Sequence, residues 1–78
     1  MEGNMFETRT IEDLVRIAAA GGGFKIDASL KSTDDLVRIA AAASTKQAKI
    51  TFTGLKIRTT EELVRIGAAG KGCVFFED

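Results

Sequence analysis

The sequence predicts an α/β fold in which strands and helices alternate in the order β-α-β-α-β-α-β. A seven-residue phrase occurs three times, beginning at Leu14, Leu36 and Leu63. A Ser or Thr and a pair of acidic residues precede each copy, and a short β-branched or aromatic run follows it. Such alternation of helical and strand patterns favours a parallel sheet with right-handed crossovers.

Each copy of the phrase is predicted to form a capped helix. The hydroxyl of Thr10 can accept a free backbone N–H of the first turn, and the acid at Asp13 suits the positive end of the helix dipole. The same arrangement recurs at Ser32 with Asp35 and at Thr59 with Glu62. Residues 21–23 and the glycines at 70 and 72 are expected to end the first and third helices, and residues 44–47 form a longer exit from the second.

Four strands are predicted, at residues 5–8, 24–28, 48–53 and 73–76. The two middle segments alternate apolar and polar residues, which is typical of a sheet buried on one face. The polar face would carry Lys25, Asp27, Lys49, Thr51 and Thr53. We therefore expect a four-stranded parallel sheet in sequential order with all three helices on the other face. The sheet should curve, because packed helices need about 8–10 Å and neighbouring strands only about 4.8 Å.

The chain of 78 residues is expected to be one domain, residues 1–78. The repeats would cover approximately residues 4–22, 23–46 and 47–71, followed by a terminal strand at 72–77. A domain of this size buries only about 60% of its unfolded surface, so association with further copies would add to a small core.

Composition argues against several classes of function. Eleven basic residues balance eleven acidic ones, and the chain contains no histidine, the usual general base and a common metal ligand. We expect no enzyme, no catalytic residue, no metal and no cofactor. The single Cys73 and the lack of a long apolar run or signal-peptide pattern favour a cytoplasmic protein without membrane contact.

The repeat resembles that of leucine-rich-repeat solenoids, whose units are about 20–29 residues long. Successive copies lie 22 and 27 positions apart, and residues 50–57 resemble the family's L-x-L-x-x-N-x-L core, with Leu55 in place of asparagine. The arrangement also resembles half of an eight-stranded β/α barrel. Either resemblance implies a curved parallel sheet with the helices on its outer side. The similarity of the three copies is also typical of recent duplication or of a designed de novo repeat protein.

A basic edge is a candidate anion site. Arg9, Lys31 and Arg58 directly precede the three predicted caps, and Lys56 lies close to the last of them. Ligands of open α/β sheets bind at this edge, and helix N-termini favour anions. The favoured alternative is that these are solvated loop cations, because each helix already has two acids in its first turn. Nucleic acid is not an expected partner, since no Tyr or Trp is interleaved with the basic residues.

Three arginines, Arg16, Arg38 and Arg65, occupy the same position in each copy. They could form a row that binds phosphate or acidic partners. We favour the simpler interpretation that each pairs with the acid four residues earlier on its own helix.

The terminal strand is the candidate self-association surface. Residues 73–76 are all apolar, and the strand ends the sheet with an edge open to another chain. Alternation predicts that Phe75 faces the helices and that Val74 and Phe76 face the polar side. We expect a homo-oligomer, most simply a dimer, and the edge could instead receive another protein. The predicted interface residues are Cys73, Val74, Phe76 and Met5.

The leading functional hypothesis is a non-catalytic structural or interaction module that self-associates through this strand. The second is an anion or nucleic-acid binder that uses the basic edge. An enzyme formed only in the assembly, with Lys25, Asp27 and Lys49 inside a closed barrel, is the least favoured because histidine is absent.

Overall fold

The computed structural model describes residues 5–77, without the side chain of Met5. Along the chain these residues form a 3₁₀ helix (Met5–Thr8), α1 (Ile11–Ala19), β1 (Phe24–Asp27), α2 (Thr33–Lys46), β2 (Ile50–Thr53), α3 (Thr60–Gly70) and β3 (Val74–Phe76). The strands form one parallel sheet in the order β1-β2-β3. The predicted α/β class and the sequential order of parallel strands are confirmed for these three strands.

The predicted opening strand is wrong. Met5–Thr8 forms a 3₁₀ helix beside β1, so the described residues contain no fourth strand. Phe6 stacks on Phe24, with 5.1 Å between the ring centroids. The Oε2 atom of Glu7 accepts the backbone N–H of Asp27 at 2.9 Å, at the outer edge of β1. The outer edge of β1 is thus covered by a side-chain acceptor and an aromatic contact, at the place where a fourth strand would pair.

The three helix starts follow the prediction. The hydroxyl oxygens of Thr10, Ser32 and Thr59 accept the N–H of the residue three positions later, at 3.1, 3.1 and 3.2 Å. At Thr59 the contact is reciprocal, because Glu62 Oε1 accepts the N–H of Thr59 at 2.8 Å. Local spacing alone places these hydrogen bonds, which is why the sequence predicts them well.

The ends of α2 and α3 differ from the prediction, whereas α1 ends just before Gly21, which has φ 100°, as expected. Helix α2 continues to Lys46, so most of the predicted exit at residues 44–47 is helical. The left-handed residue that ends α2 is Gln47, with φ 58°, and the one that ends α3 is Lys71, with φ 50°. Gly70 remains in α3, where a side chain would collide with Val74. This glycine is needed for close packing rather than for a positive φ.

The core lies between the sheet and the helices. Its fully buried large side chains are Leu14, Ile26, Leu36, Ile39, Ile50, Phe52 and Ile66. Burial alternates along β1 and β2, and the residues predicted for the open face (Lys25, Asp27, Lys49, Thr51 and Thr53) are exposed or half-buried. One face of these strands therefore packs on helices and the other remains open.

The predicted orientation of the terminal strand is reversed. Val74 is paired in register with Ile50, and Phe76 with Phe52. Residues paired in this way point to the same face of a parallel sheet, so Val74 and Phe76 lie on the helix side and Phe75 on the open face. An all-apolar strand has no alternation to indicate its phase, and pairing with β2 decides it.

Candidate interaction surfaces

The helices form a layer in which α2 packs against both α1 and α3. Two ion pairs bridge this layer. Arg38 Nη2 on α2 lies 2.8 Å from Glu12 Oε2 on α1, and Arg65 Nη2 on α3 lies 2.9 Å from Asp34 Oδ1 on α2. The two contacts use equivalent positions of the repeated phrase. Both arginines pair with an acid on the preceding helix. The prediction that each pairs with the acid four residues earlier on its own helix is therefore wrong.

The contact with Glu12 also affects Arg38 electrostatically. The hydrogen bond and the charge of the Glu12 carboxylate raise the pKa of Arg38, and a weaker contribution comes from Asp35, whose Oδ1 is 3.8 Å from Nη1. The side chains of both pairs are largely exposed, so solvent screening leaves each pair only a small contribution to stability. The value of these pairs lies in orienting one helix against the next.

The first helix leaves one flank of this repeating contact uncovered. We define the α1 flank as Arg16 and Ile17. Within residues 5–77, Arg16 has no ion pair or hydrogen bond from its side chain, and Ile17 is half-buried. The equivalents of Ile17 on the other helices, Ile39 and Ile66, are fully buried. The flank borders a shallow groove of about 380 Å³, which is lined by Arg9, Asp13, Arg16, Ile17 and Ala20.

The third helix leaves the opposite flank uncovered. We define the α3 flank as Glu61 and Val64. In the described part of the chain the carboxylate of Glu61 has no ion-pair partner, although its equivalents on α1 and α2 are both paired. Val64 is 62% exposed, whereas its equivalents Val15 and Val37 are half-buried.

The end of the sheet contains the predicted self-association residues. Cys73 is buried and Val74 is half-buried against α3, so neither presents much surface. Phe76 is 42% exposed on the helix side, where it borders a recess of about 260 Å³ together with Leu55, Leu63 and Glu77. Phe75, which the sequence placed toward the helices, is exposed on the open face. The side chain of Met5 lies outside the described part of the structure.

The open face holds an ion pair that crosses the sheet. Lys25 Nζ on β1 lies 2.8 Å from Oε1 of Glu77, just beyond β3. Nearby, the Asp27 carboxylate accepts the N–H of Ser29 at 2.9 Å, and this hydrogen bond is the main reason that the pKa of Asp27 is lowered. Lys25 and Asp27, considered for chemistry inside a closed barrel, thus have contacts that stabilise the fold.

The predicted basic edge is only partly assembled. The guanidinium of Arg58 donates to the carbonyls of Ala28, at 2.8 Å, and of Lys31. Lys31 is half-buried and Lys56 is exposed, while Arg9 lies in the groove beside the α1 flank. Arg58 is thereby held by a neighbouring loop, and the structure shows no contact that joins all four residues within 5–77.

Residues 5–77 contain no group of three or more histidine, cysteine or acidic side chains that could hold a metal ion. None of their helices is both long enough and apolar enough to span a bilayer. Comparison of the chain with protein-family models, curated proteins and solved structures found no match.

Proposed function

We propose that this chain is a non-catalytic structural module that associates with further copies of itself through the end of the molecule formed by β3 and α3. The observation that carries the proposal is the edge of β3. The carbonyl of Cys73 and the N–H of Glu77 bond to β2. Alternation along a parallel strand then directs the backbone groups of Val74 and Phe76 outward. Strand edges of this kind readily accept another chain.

Apolar side chains at the same end support the proposal. Phe76 is 42% and Val64 62% exposed, and Leu63 is half-buried although its equivalents Leu14 and Leu36 are fully buried. Covering these groups would bury apolar surface, which is the main source of free energy in association. The resemblance to solenoids and half barrels supports the same view, because in a solenoid and in a complete β/α barrel a neighbouring unit covers this end of the layer.

Anion or nucleic-acid binding at the basic edge has less support. Of the basic-edge residues, Arg58 is the one that contacts a neighbouring loop. Its guanidinium already donates to two loop carbonyls and to the hydroxyl of Thr33. An anion would have to displace these contacts. Self-association requires no such rearrangement.

Light scattering over a wide concentration range tests the proposal. We expect the mass to rise above that of one chain, and Phe76→Asp to shift the rise to higher concentration. Ile57→Asp is the matched control, because Ile57 is an 80% exposed apolar residue in the β2–α3 loop. Circular dichroism would verify that both variants fold. A wild-type chain that stays monomeric throughout the range would disprove the proposal.

A further inference from the structure

We infer that copies of this chain associate head to tail, with the α3 flank of one copy against the α1 flank of the next. The inference rests on the proposed self-association and adds its polarity. In this arrangement the joint between copies repeats the contact that already joins α1 to α2 and α2 to α3 within one chain. A two-fold contact between identical ends is the alternative that it excludes.

The internal contacts define the direction. Among residues 5–77, two arginines reach back to an acid on the preceding helix, Arg38 to Glu12 and Arg65 to Asp34. The same positions hold Arg16 on α1, which has no preceding α-helix among residues 5–77, and Glu61 on α3, which has no following α-helix there. The described structure therefore leaves one basic and one acidic half of the same contact unused, at opposite ends of the helix layer.

Burial of the apolar positions shows the same direction. Valine is half-buried on α1 and α2 but 62% exposed at Val64, on the last helix. Isoleucine is fully buried on α2 and α3 but half-buried at Ile17, on the first helix. In the repeating contact, valine thus loses exposure to the following helix and isoleucine to the preceding one. Val64 of one copy and Ile17 of the next would complete each other's burial.

Charge decides between this arrangement and a symmetric one. An α3 flank against an α1 flank brings Glu61 to Arg16, as a third pair of the type already present twice. Two α3 flanks in contact would place Glu61 of one copy near Glu61 of the other, and two α1 flanks would do the same with Arg16. Both arrangements are unfavourable because they bring like charges together. A heterologous contact of this kind closes into a ring or extends as a filament, according to the rotation between copies.

The outer edge of β1 indicates where the joint lies. The 3₁₀ helix at Met5–Thr8 covers this edge, and Glu7 already accepts the N–H of Asp27. The β3 edge of the preceding copy would therefore be covered by this helix and not by β1, so the open edge still receives another chain. The specific contacts of the joint consequently fall in the helix layer, where the two flanks are exposed.

Charge reversal tests the inference. Arg16→Glu and Glu61→Arg each place like charges across the joint, and we expect each to weaken association roughly fivefold or more. An equimolar mixture of the two variants should recover association, because every joint between different variants again pairs an acid with a base. Lys56→Glu, at an exposed loop position, is the charge-matched control for Arg16→Glu. The double variant Arg16→Glu/Glu61→Arg should also associate.

The apolar half of the joint has its own test. Val64→Asp should weaken association, whereas Leu30→Asp should not, because Leu30 is 97% exposed in the β1–α2 loop and belongs to neither flank. Association that survives both charge reversals unchanged would overturn head-to-tail polarity and leave self-association intact. So would a mixture that fails to recover association. A wild-type chain that never associates would overturn both proposals.

Discussion

The guanidinium of Arg58 donates from Nη1 to the hydroxyl of Thr33 at 2.8 Å, and that hydroxyl donates in turn to Glu62 Oε2 at 3.0 Å. The same guanidinium holds the carbonyls of Ala28 and Lys31. Arg58 precedes α3, Thr33 begins α2, and Ala28 follows β1. One side chain, therefore, ties the loop after β1 to the starts of two helices.

Replacing this arginine should cost stability. Arg58→Met removes a charged donor and leaves two partly buried carbonyls without it, so we expect the free energy of unfolding to fall by about 2 kcal/mol. Urea denaturation of the variant measures the change. Lys56→Met, at an exposed position two residues earlier, should have little effect. Equal stability of the two variants would mean that water replaces the guanidinium without cost.

The N-cap of α3 offers a second test. Thr59→Ala removes the acceptor for the N–H of Glu62 and should lower the free energy of unfolding by about 1 kcal/mol. Thr60→Ala is the control, because Thr60 is the exposed next residue and its hydroxyl caps no backbone group in residues 5–77. Thermal unfolding of both variants should separate them, and identical midpoints would show that the Thr59 hydroxyl adds nothing.

The end of α2 predicts a stabilising substitution. Gln47 has φ 58°, a left-handed conformation that costs a residue with a Cβ roughly 1 kcal/mol. Gln47→Gly should relieve this cost, and after the larger entropy of an unfolded glycine is subtracted we expect a gain of about 0.5 kcal/mol. Gln47→Ala shortens the side chain without that relief. If Gln47→Ala stabilises the protein as much as Gln47→Gly, the left-handed backbone is not the cause.

Acid should destabilise the fold in part through Glu62. The N–H of Thr59, followed by the hydroxyl of Thr33, lowers the pKa of Glu62 below its ordinary value of 4.5. A lowered pKa in the folded state means that the ionised group stabilises the fold above its unfolded pKa, and that this contribution disappears as the pH falls through the folded pKa.

Denaturation curves measured from about pH 6 down to about pH 3 test this expectation. We expect the wild type to lose more stability over this range than Glu62→Gln, which cannot ionise at this position. The two proteins should consequently become more similar as the pH falls. Parallel curves would assign the acid sensitivity to other groups, such as Asp27, whose pKa is also lowered.

Local patterns account for most of the correct predictions. The N-caps at Thr10, Ser32 and Thr59 depend on a hydrogen bond to a residue three positions away, so the sequence contains both partners side by side. The open face of β1 and β2 can also be predicted from the sequence, because Lys25 and Thr51 show which alternate residues lie on it. Both kinds of signal operate over a few residues and need no knowledge of neighbouring elements.

The errors arose where a distant partner decides the outcome. Residues 5–8 became a 3₁₀ helix because Phe6 meets Phe24 and Glu7 meets the backbone of Asp27, about twenty residues away. The arginines pair with acids on the neighbouring helix, because the side-by-side packing of the helices brings Arg38 close to Glu12. From the sequence alone, the acid four residues earlier on the same helix is an equally good partner for the arginine, because it too lies within reach of a long side chain.

Capping and alternation are short-range properties of the chain, so the class of fold, the helix starts and the polar face of β1 and β2 follow from the order of residues. The tertiary structure sets the orientation of Phe75 and Phe76, because their strand has no polar residue to indicate its phase before it pairs with β2. It also decided that the arginines link one helix to the next. That second decision depends on which helices are adjacent, and it leaves Arg16 and Glu61 as the unmatched ends of the layer.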